Sequence, residues 1–113
     1  MAECIFCKIA KKEVQSKIEY EDDNVLAIND VDPKAPVHIL IVPKKHIPTL
    51  LGLKDEDKDL VYSVHKAAIT IAQQKNLVDG FRVVVNCGPN AGQAVYHIHY
   101  HMLGGRKLEW PPG

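Results

Sequence analysis

Apolar residues recur along this chain with two periods, near 3.6 and 2, and the switches between them mark out its elements. From Cys4 to Lys12, Ile5, Phe6 and Ile9 fall at helical spacing with lysines gathered at the end. That predicts a short helix with cations at its negative pole. Ile18–Tyr20 and Val25–Asn29 are strand candidates flanking the turn-prone Glu21-Asp22-Asp23-Asn24, a hairpin pattern. Asp32-Pro33-Lys34-Ala35-Pro36 breaks the run, because proline lacks the donor a central strand needs. Val37–Pro43 is almost continuously apolar and β-branched, as a strand covered on both sides would be, and Pro48–Leu53 has room for a short helical turn. From Asp55 to Lys75, Leu60, Val61, Val64, Ala67, Ala68, Ile71 and Ala72 form one stripe of an amphipathic helix. Asp55 is its expected N-cap, and Asn76 and Gly80 end it. Phe81–Asn86 reads as a strand and Cys87–Ala94 as a glycine-bearing loop.

The loop runs into Val95-Tyr96-His97-Ile98-His99-Tyr100-His101-Met102-Leu103, which alternates at every step. A strand over 95–103 puts Val95, His97, His99, His101 and Leu103 on one face. Neighbouring imidazole-bearing residues would then sit about 6.6 Å apart and the outer two about 13 Å apart. Two of them could share a metal; all three could not without a bulge. The glycines and prolines from Gly104 to Gly113 predict irregular structure. Together these elements predict an α+β fold: a mainly antiparallel sheet, one long helix on a face and a short N-terminal helix.

The chain has 113 residues, enough for one domain over 1–113 and little enough that burying surface on a partner subunit would help it. Fourteen basic residues balance fourteen acidic ones with no long run of either sign, which argues against a nucleic-acid or membrane binder. Glu3 and Lys8 interrupt the only apolar run near the start, so no signal peptide is expected. Three cysteines, an odd number, speak against a disulfide framework and for a reducing cytoplasm.

Three of the six histidines lie within five residues. Imidazole loses its proton near neutral pH, so a row of them suits nucleophilic attack, proton transfer and oxyanion binding. A loop with Gly88 and Gly92 leading into that row lets backbone N–H groups close on an anion. His38, alone in an apolar strand, is either a satisfied core histidine or a site residue. Cys4-x-x-Cys7 is a redox pair, half of a zinc site, or two small core residues. His65, beside the helix stripe, reads as an ordinary helix residue.

His97-Ile98-His99-Tyr100-His101-Met102-Leu103 resembles the histidine-triad pattern, and the likeness runs over essentially the whole chain in order. Asp30-Val31-Asp32-Pro33 with Ala35-Pro36, His38 to Ile47, Val85-Asn86, Gly92-Gln93 and Trp110-Pro111-Pro112-Gly113 all resemble the histidine-triad nucleotide-binding proteins, in the branch of purine nucleoside phosphoramidases. The resemblance implies a histidine-triad-like fold and a homodimer. It also implies cleavage of purine nucleoside 5′-monophosphoramidates to the nucleoside monophosphate. His99 would attack the α-phosphorus, its Nδ1–H held by a fixed acceptor, and form a nucleotidyl-histidine. His101 would donate to a non-bridging oxygen, with His38 and His97 orienting that face. Gly92 and Gln93 would set the phosphate, and Asn86 would bind near the phosphate or ribose. Asp30 would accept from the ribose hydroxyls, and Ile5, Phe6, Ile9, Ile28 and Val31 would wall the purine slot. Trp110 would reach the partner's active-site region. Rival readings are a dinucleotide polyphosphate hydrolase of the same superfamily, a nucleotide-binding scaffold with vestigial hydrolysis, and a zinc-storage module.

Two departures stand out. Ala94 occupies the place of the branch's usual serine before Val-Tyr-His, which removes a hydroxyl that would assist the leaving amine. Cys4-x-x-Cys7 resembles the microbial members that hold structural zinc; that likeness assigns the ligands as Cys4, Cys7, His46 and His97.

Overall fold

The computed structural model describes residues 4–113, so Glu3 and the first residues of the 1–113 span lie outside it. Its elements are α1 (Ile5–Ala10), β1 (Ile18–Glu21), β2 (Val25–Asn29), β3 (Val37–Pro43), α2 (Lys58–Gln74), β4 (Phe81–Val85) and β5 (Tyr100–Gly104). The five strands pair antiparallel in the order β1-β2-β3-β5-β4. The predicted hairpin is β1–β2, closed by Asp22, whose Oδ1 accepts from the N–H groups of Asn24 and Val25 at 2.8 Å each. Last in sequence, β5 inserts between β3 and β4 and occupies the middle of the sheet's second half.

Pairing register decides which residues share a face. Val25 and Ala27 of β2, Ile39 and Ile41 of β3, and Tyr100 and Met102 of β5 turn to α2 and pack on Leu60, Val64, Ala67, Ala68 and Ile71. The helix stripe is as read, except that Ser63 is buried beside it and Val61 only partly so. On the other face Leu26, Ile28 and Val42 pack against Phe6 and Ile9 of α1. Next to that cluster, on the same face, lie His38, His101, Leu103, Val84 and Arg82, aligned by the pairs His38↔Leu103, Leu40↔His101, Arg82↔Leu103 and Val84↔His101. One face is thus a dry core and the other is divided between α1 and the histidines.

Two sequence expectations are corrected. The alternating run 95–103 is a strand only from Tyr100: β4 ends at Val85, the partner of Tyr100, and the β3 ladder also stops at Ile41↔Tyr100, although β3 itself runs on to Pro43. Upstream, the chain bonds to the turn after β3 instead: Ile98 N–H donates to the Ile47 carbonyl at 2.7 Å. The long helix begins as a single 3-10 turn over Asp55–Asp57, and Asp57 rather than Asp55 fastens its start. The buried Asp57 carboxylate accepts from the Lys54 N–H at 2.9 Å and from Lys45 Nζ at 2.7 Å. Asn76 ends α2 at φ 57°, the left-handed conformation asparagine tolerates. The predicted turn after Pro48 is a 3-10 turn at Leu50–Gly52, with Thr49 Oγ1 accepting from the Leu51 N–H at 3.2 Å. Among the described residues, no helix is long and apolar enough to cross a membrane.

Gly105 steers the chain out of β5. It has φ +88°, and a Cβ there would lie 2.9 Å from the Pro36 Cβ, a rigid ring atom. Gly105→Ala should therefore lower stability by about 1–3 kcal/mol, read as a shift of the urea midpoint at unchanged slope. An unshifted midpoint would refute the close approach.

Candidate active site

His38 and His101 lie on adjacent strands with ring centroids 5.2 Å apart. Their hydrogen bonds dictate their tautomers. The Lys34 N–H donates to His38 Nδ1 at 3.0 Å, so that nitrogen carries no proton. In the neutral ring the proton is on Nε2, which donates to His101 Nδ1 at 2.9 Å, with Asp30 Oδ2 at 3.3 Å. His101, accepting at Nδ1, keeps its own proton on Nε2. Burial holds both rings below the usual histidine range, Asp30 opposing it in each case, so both are neutral at pH 7.

His99 stands next along the face, its ring 5.2 Å from that of His101 and 5.0 Å from that of Phe6. Its Nδ1–H donates to the main-chain carbonyl of His97 at 2.8 Å, an acceptor that can only accept. The proton is thereby tied to Nδ1 and the Nε2 lone pair is left unbonded to hydrogen. Two adjacent rings have opposite polarity: His99 presents a lone pair at Nε2, His101 an N–H.

His97 departs from the row. Its fully buried ring donates from Nε2 to the Pro43 carbonyl at 2.7 Å, which turns Nδ1 toward Cys4 Sγ (3.3 Å), Cys7 Sγ (3.6 Å) and His46 Nδ1 (3.1 Å). Cys7 Sγ lies 3.3 Å from His46 Nδ1. Zinc bonded to two imidazoles and two thiolates has ligand–ligand edges of about 3.3–3.8 Å, so these separations suit a tetrahedral zinc. The tautomer suits it too, since the Pro43 carbonyl holds the proton on the far nitrogen and supplies the outer partner a metal-bound imidazole requires. A second grouping within 4.8 Å, Asp30, His38 and His101, fails the same examination. Lys34 already claims His38 Nδ1, so a metal at Nε2 would require a doubly deprotonated ring.

The remaining predicted residues are dispersed. Asp30, just past β2, and Asn86, just past β4, line one cavity of about 360 Å³ with His38, His101, Leu103 and Pro112. Gln93 is buried with its amide fully used: Oε1 accepts from the Gly88 N–H at 2.9 Å, while Nε2 donates to the Pro48 and Val95 carbonyls at 2.7 and 3.0 Å. It shapes the loop, which holds Gly88 and Gly92 at φ 87° around a 3-10 turn. Of the expected purine wall, Phe6, Ile9 and Ile28 are buried, Ile5 is half-exposed and Val31 is fully exposed. Trp110 is exposed on its own chain, its ring 5.9 Å from the Arg82 guanidinium. Sequence reading missed Lys34, Pro43, Arg82 and Pro112. The first two act through main-chain atoms, which carry no residue-type signal. Arg82 alone was accessible, through its two-residue spacing from Val84.

This sheet, with its buried face on one helix and imidazoles along the other, is the histidine-triad architecture. Residues 3–109 match the family model described as scavenger mRNA decapping enzyme C-term binding. An uncharacterised HIT-like protein of Synechococcus elongatus is 50% identical over 109 residues, covering 96% of each chain. A 14 kDa zinc-binding protein of Zea mays is 51% identical over 113 residues, covering 96% of this chain and 87% of that one. The crystal structure of a HIT family hydrolase from Legionella pneumophila Philadelphia 1 superposes with a TM-score of 0.95 at 46% identity, covering 98% of this chain and all of that one. The chain belongs to the histidine-triad (HIT) family.

Neutral His38 and His101 make stability depend on pH. Both folded-state values lie below the ordinary 6.5, so the unfolded chain binds protons first. Their contribution is complete above about pH 6.5 and is lost as pH falls toward the depressed values. Urea midpoints between about pH 7.5 and 5 should decline accordingly. His101→Asn, which keeps an acceptor for His38 but does not titrate, should flatten the decline; an equal slope in the variant would refute the assignment.

Proposed function

We propose that the chain is a nucleotide hydrolase that cleaves purine nucleoside 5′-monophosphoramidates through a nucleotidyl-histidine at His99. The observation that carries this reading is the bond from His99 Nδ1–H to the His97 carbonyl, which leaves Nε2 as a lone pair beside the His101 N–H. Neutral imidazole is a competent nucleophile at pH 7. In the first step Nε2 attacks phosphorus and the P–N bond breaks, its electron pair going to nitrogen. The amine leaves after taking a proton from solvent. In the second step water attacks phosphorus, the P–Nε2 pair returns to the ring, and the nucleoside monophosphate is released with the water's proton given up. The His101 Nε2–H donates to a non-bridging oxygen where charge develops, and the His38 relay keeps that proton in position.

Asp30 accepts from the ribose hydroxyls in this reading, with Asn86 near the phosphate or ribose and Gly92 and Gln93 shaping the phosphate loop. Ile5, Phe6, Ile9, Ile28 and Val31 wall the purine. Cys4, Cys7, His46 and His97 hold a structural zinc, which supplies no open coordination position and serves to clasp α1 to the sheet. A reducing cytoplasm suits those thiolates. A homodimer is part of the proposal. β4 is an edge strand with Phe81 and Val83 partly exposed, an edge that a second copy would cover.

Turnover of several nucleoside phosphoramidates and dinucleotide polyphosphates, measured side by side, tests the substrate class. His99→Ala should lower turnover by several orders of magnitude with nucleotide binding retained, and His101→Ala should cost about 2–4 kcal/mol of transition-state stabilisation. Near-normal turnover in His99→Ala would end the covalent mechanism. For the metal, elemental analysis of protein purified without chelator should find one zinc per chain. Replacing Cys4 and Cys7 by serine should remove it and lower the melting temperature. Metal-free protein of unchanged stability would sink the zinc assignment.

A further inference from the structure

Asp57 is the one carboxylate among the described residues that is almost wholly buried, its side chain 4% exposed, and no step above uses it. A carboxylate leaves water at a cost unless other groups meet its oxygens. Here Oδ2 accepts from the Lys54 N–H at 2.9 Å, which fixes the group to the start of α2, and Oδ1 accepts from Lys45 Nζ at 2.7 Å. Fastening the helix needs only the first of these bonds. The second ties α2 to the turn after β3, at the residue immediately before His46.

That turn, from Pro43 to Ile47, carries or holds two members of the cluster formed by Cys4, Cys7, His46 and His97. His46 is exposed, so little packing aims its ring, and its place follows from its main chain. His97 is bonded to the same turn: its Nε2 donates to the Pro43 carbonyl, and the next N–H, of Ile98, donates to the Ile47 carbonyl, each at 2.7 Å. On the hairpin side the turn is held through Lys44, whose N–H donates to the Asn24 carbonyl at 2.8 Å and whose Nζ meets Glu21 at 2.8 Å. Lys45 and Asp57 hold it from the side of α2. We propose that Asp57 is a positioning residue for the metal cluster: through Lys45 it fixes the Pro43–Ile47 turn so that His46 and His97 converge on Cys4 and Cys7, and it thereby raises zinc affinity. This rests on the zinc reading above. Neither Asp57 nor Lys45 is one of the four ligands, so the pair acts only on where the ligands stand.

Charge and position predict opposite signs, which makes the two separable. Acting only through their fields, Asp57→Asn would weaken zinc binding and Lys45→Met would strengthen it. Acting as a brace, both variants weaken it. A direct hydrogen-bond partner of a metal ligand is worth about 10–100-fold in affinity, and a support one step further out should be worth about three- to tenfold. Competition between zinc-loaded protein and a chromogenic chelator measures the loss. Asp57→Asn and Lys45→Met together should lose no more than either alone, because a single interaction is broken. Lys45→Arg, which keeps a cation, should recover most of the affinity. Glu56→Gln should leave it unchanged, since the exposed Glu56 reaches Lys45 only at 3.4 Å. With cobalt in place of zinc, saturated Asp57→Asn protein should show an altered visible d–d spectrum, which a general loss of stability would not produce.

Stronger binding in Lys45→Met, or unchanged affinity in both variants, would overturn the brace. A cobalt spectrum identical to that of the wild type would do the same. Urea midpoints that fell equally in zinc-loaded and metal-free protein would reduce Asp57 to a helix fastening and refute the role in affinity. If Asp57→Asn failed to fold, Lys45→Met, changed at a half-exposed side chain, would decide by the same readings. Wild-type protein that took up no zinc would defeat the zinc reading and the affinity role with it. Zinc bound by the wild type and equally well by both variants would defeat the brace alone.

Discussion

The site depends on where each buried imidazole keeps its single proton. His99 donates its Nδ1–H to the His97 carbonyl at 2.8 Å, which leaves Nε2 as a lone pair. A His99 free to exchange tautomers would present a lone pair at Nε2 only part of the time. A main-chain carbonyl accepts and never donates, so it enforces one tautomer at all pH values where the ring is neutral. The same device recurs at His97 with the Pro43 carbonyl and, reversed, at His38 with the Lys34 N–H.

His97 joins two functions in one residue. Its carbonyl directs His99 while its ring faces Cys4, Cys7 and His46. Phe6 lies between the two cysteines in sequence and packs on both His97 and His99, at ring separations of 5.7 and 5.0 Å. A six-residue helix has little stability of its own. Anything that clasps α1 to the sheet therefore also fixes one wall against His99. The Cys4, Cys7, His46 and His97 cluster and the His99 ring are linked through Phe6 and His97.

The two faces of the sheet divide the demands of stability and function. Against α2, aliphatic residues with near-zero exposure form a continuous core. Against α1, the apolar cluster is smaller and gives way to the histidines; among the described residues no buried side-chain polar atom lacks a hydrogen bond. Burial holds His38 and His101 below the usual histidine range, and their mutual hydrogen bond leaves neither buried nitrogen orphaned.

Much of this was determined by sequence alone. Periodicity yielded the hairpin, β3, the α2 stripe and the α+β class, because side-chain alternation and helical spacing are local properties of the chain. The histidine row and the Cys-x-x-Cys pair were visible as residue types. Tertiary structure decided the rest. Alternation alone extended the histidine strand back to Val95, but a strand needs paired neighbours, and β4 ends at Val85, opposite Tyr100, where the pairing with β3 also stops. With the ladder gone, His97 leaves the row for the cysteines, so three residues that look equivalent in sequence divide into one ring facing Cys4, Cys7 and His46 and two rings on the open face. Their tautomers were illegible for the same reason: they are set by carbonyl and N–H groups of Pro43, His97 and Lys34, and the main chain is chemically alike at nearly every residue until folding brings one particular group within reach.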